Sequence, residues 1–281
     1  MKKKIVTILI AVLAGILLCV FVYSGYRILS SKQEYAESKE LYDDAVTRYT
    51  TVNDNPSSVQ PEKEMSGTEG SENSPDVPDP EAEEDSDAAP IRVDFDALKK
   101  VNPDIVGWIY CEDTVINYPV VQGENNEYYL KKGYDRKYSF TGSIFLDSRA
   151  SPDFSDANNI IYGHNMMDAS MFAGLEKWKD QAYYEEHPVM WLLTPGGDYR
   201  IRIFSGYLTD ARSEAFSIIP ANGSFLQKYL DKALAKSDIR TDHAPDGTGK
   251  YVMLSTCAYD YKTARYVLHG EMERIGPDGT E

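Results

Sequence analysis

Apolar and polar positions divide the chain into stretches of different texture. From Ile5 to Tyr23, nineteen residues carry nothing more polar than Thr7 and Gly15, enough to cross a hydrocarbon core as a helix. Tyr35, Tyr42, Val46 and Tyr49 then recur at intervals of seven, four and three, the spacing of a helical stalk, for which the expected role is spacing. From Thr50 to Pro90 the residues are mostly Ser, Pro, Glu, Asp, Gly and Asn. Such a segment cannot bury enough apolar surface to offset its ordering entropy, so it reads as a disordered, self-repelling tether.

Past Ile91 the texture changes again. Short β-branched and aromatic runs at 106–110, 116–121, 143–146, 160–162, 190–193, 199–207, 251–256 and 265–273 are separated by turn signals, and each predicts a strand. Eight short strands favour a closed barrel, which leaves no sheet edge exposed. Helices are predicted at 95–101, 126–131, 169–179 and 224–236. The last presents Phe225, Leu226, Tyr229, Leu230, Ala233 and Leu234 on one face. It sits in a connection of about forty residues, a length more often functional than idle. The expected organisation is therefore a transmembrane signal anchor at 1–29, a helical stalk and acidic linker at 30–90, and a mainly β, eight-stranded barrel domain with inserted helices at 91–281.

Charge locates the termini and excludes one partner class. Lys2, Lys3 and Lys4 precede the apolar run, which holds the N-terminus in the cytoplasm and the remainder outside, on a single-pass protein of the cell membrane. The run ends in Phe21, Val22 and Tyr23 rather than in small residues, so a retained anchor is expected instead of a cleaved signal peptide. Leu18 before Cys19 is too large for a lipoprotein cleavage site. The net charge is −16, and residues 31–90 hold seventeen acidic against four basic side chains. The folded part shows no basic stripe for phosphates, so no nucleic acid is expected. No paired Cys or His stands at ligand spacing, so neither a metal nor another cofactor is expected.

Two cysteines face the exterior, Cys111 and Cys257, and in an oxidising compartment they could form a disulfide. Another pattern surrounds Cys257. Leu254-Ser255-Thr256-Cys257 ends a strand, and Arg265 follows eight residues on, room for a turn that returns the chain antiparallel. Upstream stands Ile160-Ile161-Tyr162-Gly163-His164-Asn165. These segments resemble the sortases, whose TLxTC-type strand end is matched with Met253 in the leading place. Asn102 to Ile109, Tyr118 to Gly123, Gly142 to Asp147 and the helix at 224–236 are similar to class B sortases in particular.

The resemblance implies a membrane-anchored cysteine transpeptidase of the Gram-positive surface. Cys257 would be the nucleophile, since a thiolate forms a reactive thioester near neutral pH. His164 would move the proton, because an imidazole titrates in the right range. Arg265 would stabilise the oxyanion with a planar charged fork. Substrates would be secreted proteins bearing a C-terminal sorting signal, cut at a Thr carbonyl, with a peptidoglycan cross-bridge amine or its lipid-linked precursor as acceptor. Asn126 and Leu130 match class B positions that hold the sorting peptide. Ser255, two residues from Cys257, shares its strand face.

Three rival readings stay open. A hydrolytic cysteine protease would use the same nucleophile, and Asp260 could serve it as a third member, although Tyr259 occupies the place where class B sortases often carry an acid. His269, on the returning strand, competes with His164, whereas His187 and His243 are expected on the solvated surface. A non-enzymatic wall-binding module with a Cys111–Cys257 disulfide is the third.

Overall fold

The structure, a computed structural model, describes residues 2–53, 88–219, 225–257 and 263–276. Eight strands close into a barrel: β3 (Ile105–Tyr110), β4 (Asn117–Val121), β5 (Ile144–Leu146), β6 (Asn158–Tyr162), β7 (Val189–Leu193), β8 (Asp198–Asp210), β9 (Lys250–Cys257) and β10 (Ala264–Ile275). The order around it is β10-β8-β7-β3-β4-β5-β6-β9. The β4–β5 and β6–β9 pairs are parallel and the others antiparallel. Closure satisfies every strand on both sides. Trp108, Ile109, Leu146, Leu192, Val252, Leu254, Tyr266 and Leu268 belong to the main core.

Alternation along β9 and β10 sends the intervening residues outward. Met253 and Val267 join Ile160 of β6 in a second apolar cluster, covered by Leu226, Tyr229, Leu230 and Ala233 of a helix at Leu226–Lys236. The amphipathic pattern of the 224–236 segment thus describes a cover for one face of the sheet.

The other inserted helices are shorter than expected. At 126–131 a single 3-10 turn spans Tyr128–Lys131, preceded by Asn125, whose carboxamide oxygen accepts from the Glu127 and Tyr128 amides at 2.9 Å. At 169–179 only Ala173–Lys179 is helical, again as 3-10. Ala169 and Met171 stand at φ 63° and 57°, and non-glycine residues in that left-handed region interrupt a right-handed helix.

The N-terminal helix, α1, runs unbroken over Lys2–Tyr49. Its apolar half exposes Leu13, Leu17, Phe21 and Leu29, and among the described residues it is the one helix long and apolar enough to cross a membrane. The second half corrects the expectation of a spacer. Tyr42 and Ala45 are buried in the main core, and Leu41, Val46 and Tyr49 pack against it. Beyond the helix, β1 (Thr50–Val52) pairs antiparallel with β2 (Ile91–Val93), so both ends of the expected tether are tied to the folded unit. A short helix, α2 (Phe95–Val101), follows, its first turn capped by the Asp94 carboxylate on the Ala97 amide at 2.9 Å. Residues 54–87, the bulk of the expected tether, lie outside the described residues. The remaining α-helices among the described residues are α3 (Gln181–Glu186) and the cover helix, α4 (Leu226–Lys236).

Candidate active site

Backbone register brings the three expected catalytic positions to one end of three adjacent strands. Cys257 is the Cα partner of Arg265 across β9 and β10. Tyr162 is the parallel partner of Ser255, so extending that register by two residues sets position 164 level with position 257. The extension is physical, because the Gly163 amide donates to the Ser255 carbonyl at 3.1 Å. A side chain at 163 has no room, since a Cβ would stand 2.5 Å from Ile144 Cδ1 and 2.6 Å from Phe172 Cδ2. That close approach explains the glycine before His164.

The imidazole of His164 is held by the backbone. Its Nδ1 lies 2.8 Å from the Thr141 carbonyl oxygen. A carbonyl only accepts, so Nδ1 carries the proton in the neutral ring and Nε2 keeps the lone pair. Burial pushes the His164 pKa below its ordinary value; the Thr141 bond opposes this and the nearby Lys131 charge adds to it. The neutral, Nε2-basic tautomer is therefore favoured near pH 7. The Arg265 guanidinium donates from Nη1 to the Ala264 carbonyl at 2.8 Å. Among the described residues it meets no carboxylate.

A groove of about 680 Å³ opens beside these positions. All three residues expected to contact substrate, Asn126, Leu130 and Ser255, line it together with His164 and Arg265. The Ser255 and Thr256 hydroxyls are buried and have no hydrogen-bond partner among the described residues. One wall is aromatic: Tyr162 stacks on Phe216 at 6.2 Å and lies 5.2 Å from Phe145.

The sequence reading missed the group that shapes this wall. Asp147 is fully buried and accepts from Arg149 Nε at 2.9 Å, Arg149 Nη2 at 2.7 Å, Tyr162 Oη at 2.8 Å and Asn126 Nδ2 at 3.1 Å. Burial raises its pKa, but the Arg149 and Tyr162 bonds outweigh that and hold the carboxyl below its ordinary value. Asn126 also accepts from the Ser148 amide at 2.7 Å, so its amide is oriented before any ligand arrives. Its signal in the sequence was its place at the end of the Gly142–Asp147 segment, which gave the carboxylate no role.

Several rivals separate clearly. His269 lies in the second apolar cluster, stacked on Tyr207 at 5.4 Å, away from the groove. His243 is not on the solvated surface as expected, because it pairs with Glu271 at 2.7 Å. His187 packs on Tyr183, with ring centroids 4.4 Å apart. Cys111 is a free, buried thiol near the Val189 carbonyl, pushed up to about 12 by burial. It follows β3, which stands four strands from β9 in either direction around the barrel. The disulfide expectation fails on that separation. Tyr259 and Asp260 lie outside the described residues.

A family model described as a sortase domain matches residues 109–273. Sortase B of Staphylococcus aureus (strain NCTC 8325 / PS 47) is 35% identical over 187 residues, covering 66% of this chain and 77% of the relative. Sortase B of Listeria monocytogenes serovar 1/2a (strain ATCC BAA-679 / EGD-e) is 30% identical over 259 residues, 92% of this chain and 94% of the relative. A solved Staphylococcus aureus sortase B-substrate complex superposes with a TM-score of 0.61 at 34% identity, covering 65% of this chain and 85% of that one. With the barrel closed and the Tyr-Gly-His and Thr-Cys segments meeting at one end of it, the chain belongs to the sortase family of cell-wall cysteine transpeptidases, and within it to class B.

Proposed function

We propose that this chain cuts a C-terminal sorting signal of secreted proteins at a Thr carbonyl and joins the new acyl end to a cell-wall amine. The observation that carries the reading is the convergence of positions 164, 257 and 265 at the groove, set by strand register. Directly paired antiparallel residues stand on one face of a sheet, the relation that a nucleophile and its oxyanion donor require. Asn126, Leu130 and Ser255, which line the groove, are the peptide contacts.

The Cys257 thiol passes its proton to Nε2 of His164 as sulfur attacks the carbonyl carbon, and Arg265 takes the negative oxygen. Collapse breaks the C–N bond; the departing amine collects the proton from Nε2 and a thioester remains. An acceptor amine, from the peptidoglycan cross-bridge or its lipid-linked precursor, attacks that thioester and gives up a proton to Nε2. The proton returns to the thiolate as the C–S bond breaks. A carbonyl rather than a carboxylate on Nδ1 keeps the imidazole weakly basic, which suits a group that must both take and release the proton near neutrality. The three lysines ahead of the apolar run support an N-terminus in the cytoplasm, with the barrel outside among secreted substrates.

A library of pentapeptides, incubated with the protein and a panel of amines, tests the reading by mass spectrometry. The expected products are a thioester on Cys257 and, with amine present, a ligated peptide. Cys257→Ala should lose both while retaining the barrel's circular dichroism. Retained cleavage in that variant would sink the assignment. Cleavage by water alone, with every amine ignored, would replace the transpeptidase with a hydrolytic thiol protease.

A further inference from the structure

In a triad a buried carboxylate orients the imidazole by its charge; here the partner of Nδ1 is a neutral peptide carbonyl, on a connection with no strand ladder to hold it. Thr141 lies between the 3-10 turn at Tyr128–Lys131 and β5, in a tight reversal where the Gly142 amide donates to the Ser139 carbonyl at 3.2 Å. Gly142 stands at φ +64°, and a Cβ there would meet the Leu130 carbonyl oxygen at 2.6 Å. The direction of the Thr141 carbonyl therefore depends on what braces residues 138–143.

Part of that brace is local, since the Ser139 amide donates to the Lys131 carbonyl and the Ser143 amide to the Tyr129 carbonyl, each at 3.1 Å; the rest is the second half of α1. The Ser38 hydroxyl is hydrogen-bonded to Ser139 Oγ at 3.2 Å, and Ser139 Oγ to Thr141 Oγ1 at 3.2 Å. Tyr42 donates to the Gly142 carbonyl, the residue after Thr141, and lies 3.3 Å from Ser143 Oγ. Tyr35 sets its ring edge to face on Phe140 at 5.2 Å. A second arm reaches the other side of the histidine. Tyr42 packs at 5.3 Å on Tyr118, whose hydroxyl accepts from the Met171 amide at 3.0 Å, and the next amide, of Phe172, donates to the His164 carbonyl at 3.0 Å. One buried tyrosine of α1 is thus bonded to one segment that locates the imidazole and linked through Tyr118 to the other.

We infer that the membrane-proximal part of α1 is a positioning element of the active site, with Tyr42 and Ser38 as positioning residues that aim the Thr141 carbonyl at His164. The inference rests on the reading of His164 as the proton carrier. It assigns the stalk a part in turnover as well as in stability.

The test uses the full chain in detergent micelles, comparing wild type, Tyr42→Phe and Ser38→Ala with the pentapeptide that reacts fastest in the screen above. Single-turnover acylation, corrected for folded fraction, should fall on the order of tenfold in Tyr42→Phe, the scale of a slightly misplaced reacting group. The peptide concentration at half-saturation should stay unchanged. In ¹⁵N-histidine NMR spectra, with the His164 signals identified by their loss in His164→Gln, the separate Nδ1–H and Nε2 resonances should draw together as the tautomer preference fades. Should Tyr42→Phe fold poorly, Ser38→Ala carries the same expectations. Wild-type acylation per folded molecule, or unchanged His164 resonances in a slowed variant, would overturn the inference. Retained transpeptidation in His164→Ala would instead remove the reading beneath it.

Discussion

The outward face of β6, β9 and β10 is sealed at one end and open at the other. Ile160, Met253 and Val267 lie beneath α4 in an apolar cluster, whereas Tyr162, Ser255 and Arg265, further along the same strands toward Cys257, line the groove. Each half contains a histidine whose pKa is lowered chiefly by burial. Their surroundings differ in what they offer the ring. His269 is stacked among Phe204, Tyr207 and Tyr229, and its Nε2 has no partner among the described residues. His164 is half-buried, has Nδ1 committed to Thr141, and borders the groove. A lowered pKa alone is therefore no mark of catalysis; a fixed tautomer beside an accessible cavity is the discriminating feature.

The largest loss of activity is expected at Arg265. If the open end is built for the oxyanion, Arg265→Ala should slow acylation by about a hundredfold to a thousandfold, roughly 3 to 4 kcal/mol, with the fold intact. Arg265→Lys should fare nearly as badly, because an ammonium on a flexible stem does not reproduce a planar fork. Single-turnover kinetics with circular dichroism on each variant decides this. Acylation within a few-fold of wild type in Arg265→Lys would pass the oxyanion role to backbone amides.

At the sealed end the expected losses concern folding. Ile160→Val removes one methylene from a fully buried site and should cost about 0.5–1.5 kcal/mol of stability in denaturant titrations. Acylation per folded molecule should not change. A slowed reaction without lost stability would mean that the two halves are mechanically coupled.

The effect that is smallest at neutral pH is at His269, and it grows only in acid. Burial, with Lys236 adding to it, pushes the His269 pKa down to about 3, while an unfolded histidine titrates near about 6.5. Between those values the unfolded chain binds a proton that the folded chain refuses. The stability contributed by neutral His269 is thus complete above about pH 6.5 and is lost toward pH 3, by up to about 1.4 kcal/mol per unit. His269→Phe should flatten that part of the stability profile relative to wild type and leave activity at pH 7 unaltered. Equal slopes in both proteins would show that His269 is not the titrating group.

Much of this arrangement was legible along the chain, for reasons particular to each element. All eight barrel strands announced themselves because β-branched and aromatic runs alternate with turn residues, and α4 because its apolar positions repeat with helical period. Cys257, His164 and Arg265 were recognisable because each sits in a motif of distinctive types. The stalk was misjudged for an equally definite reason. Tyr42 and Ala45 read the same whether a helix projects into water or packs on a sheet, since helical period records which residues share a face and not what that face meets. Asp147 escaped notice because its donors, Asn126, Arg149 and Tyr162, come from three different segments.

Local composition, periodicity and side-chain chemistry were enough for the apolar N-terminal helix, the strands, the cover helix and the candidates for the reacting groups. It took contacts between distant segments to show that Thr141 holds His164, that Asp147 organises the groove wall, that Cys111 stands across the barrel from β9, and that Tyr42 of the N-terminal helix bonds the loop beside the imidazole. Each of these joins residues far apart in the chain through register or backbone carbonyls. A backbone carbonyl is carried by every residue alike, so no pattern of residue types could have singled out the one that faces the histidine.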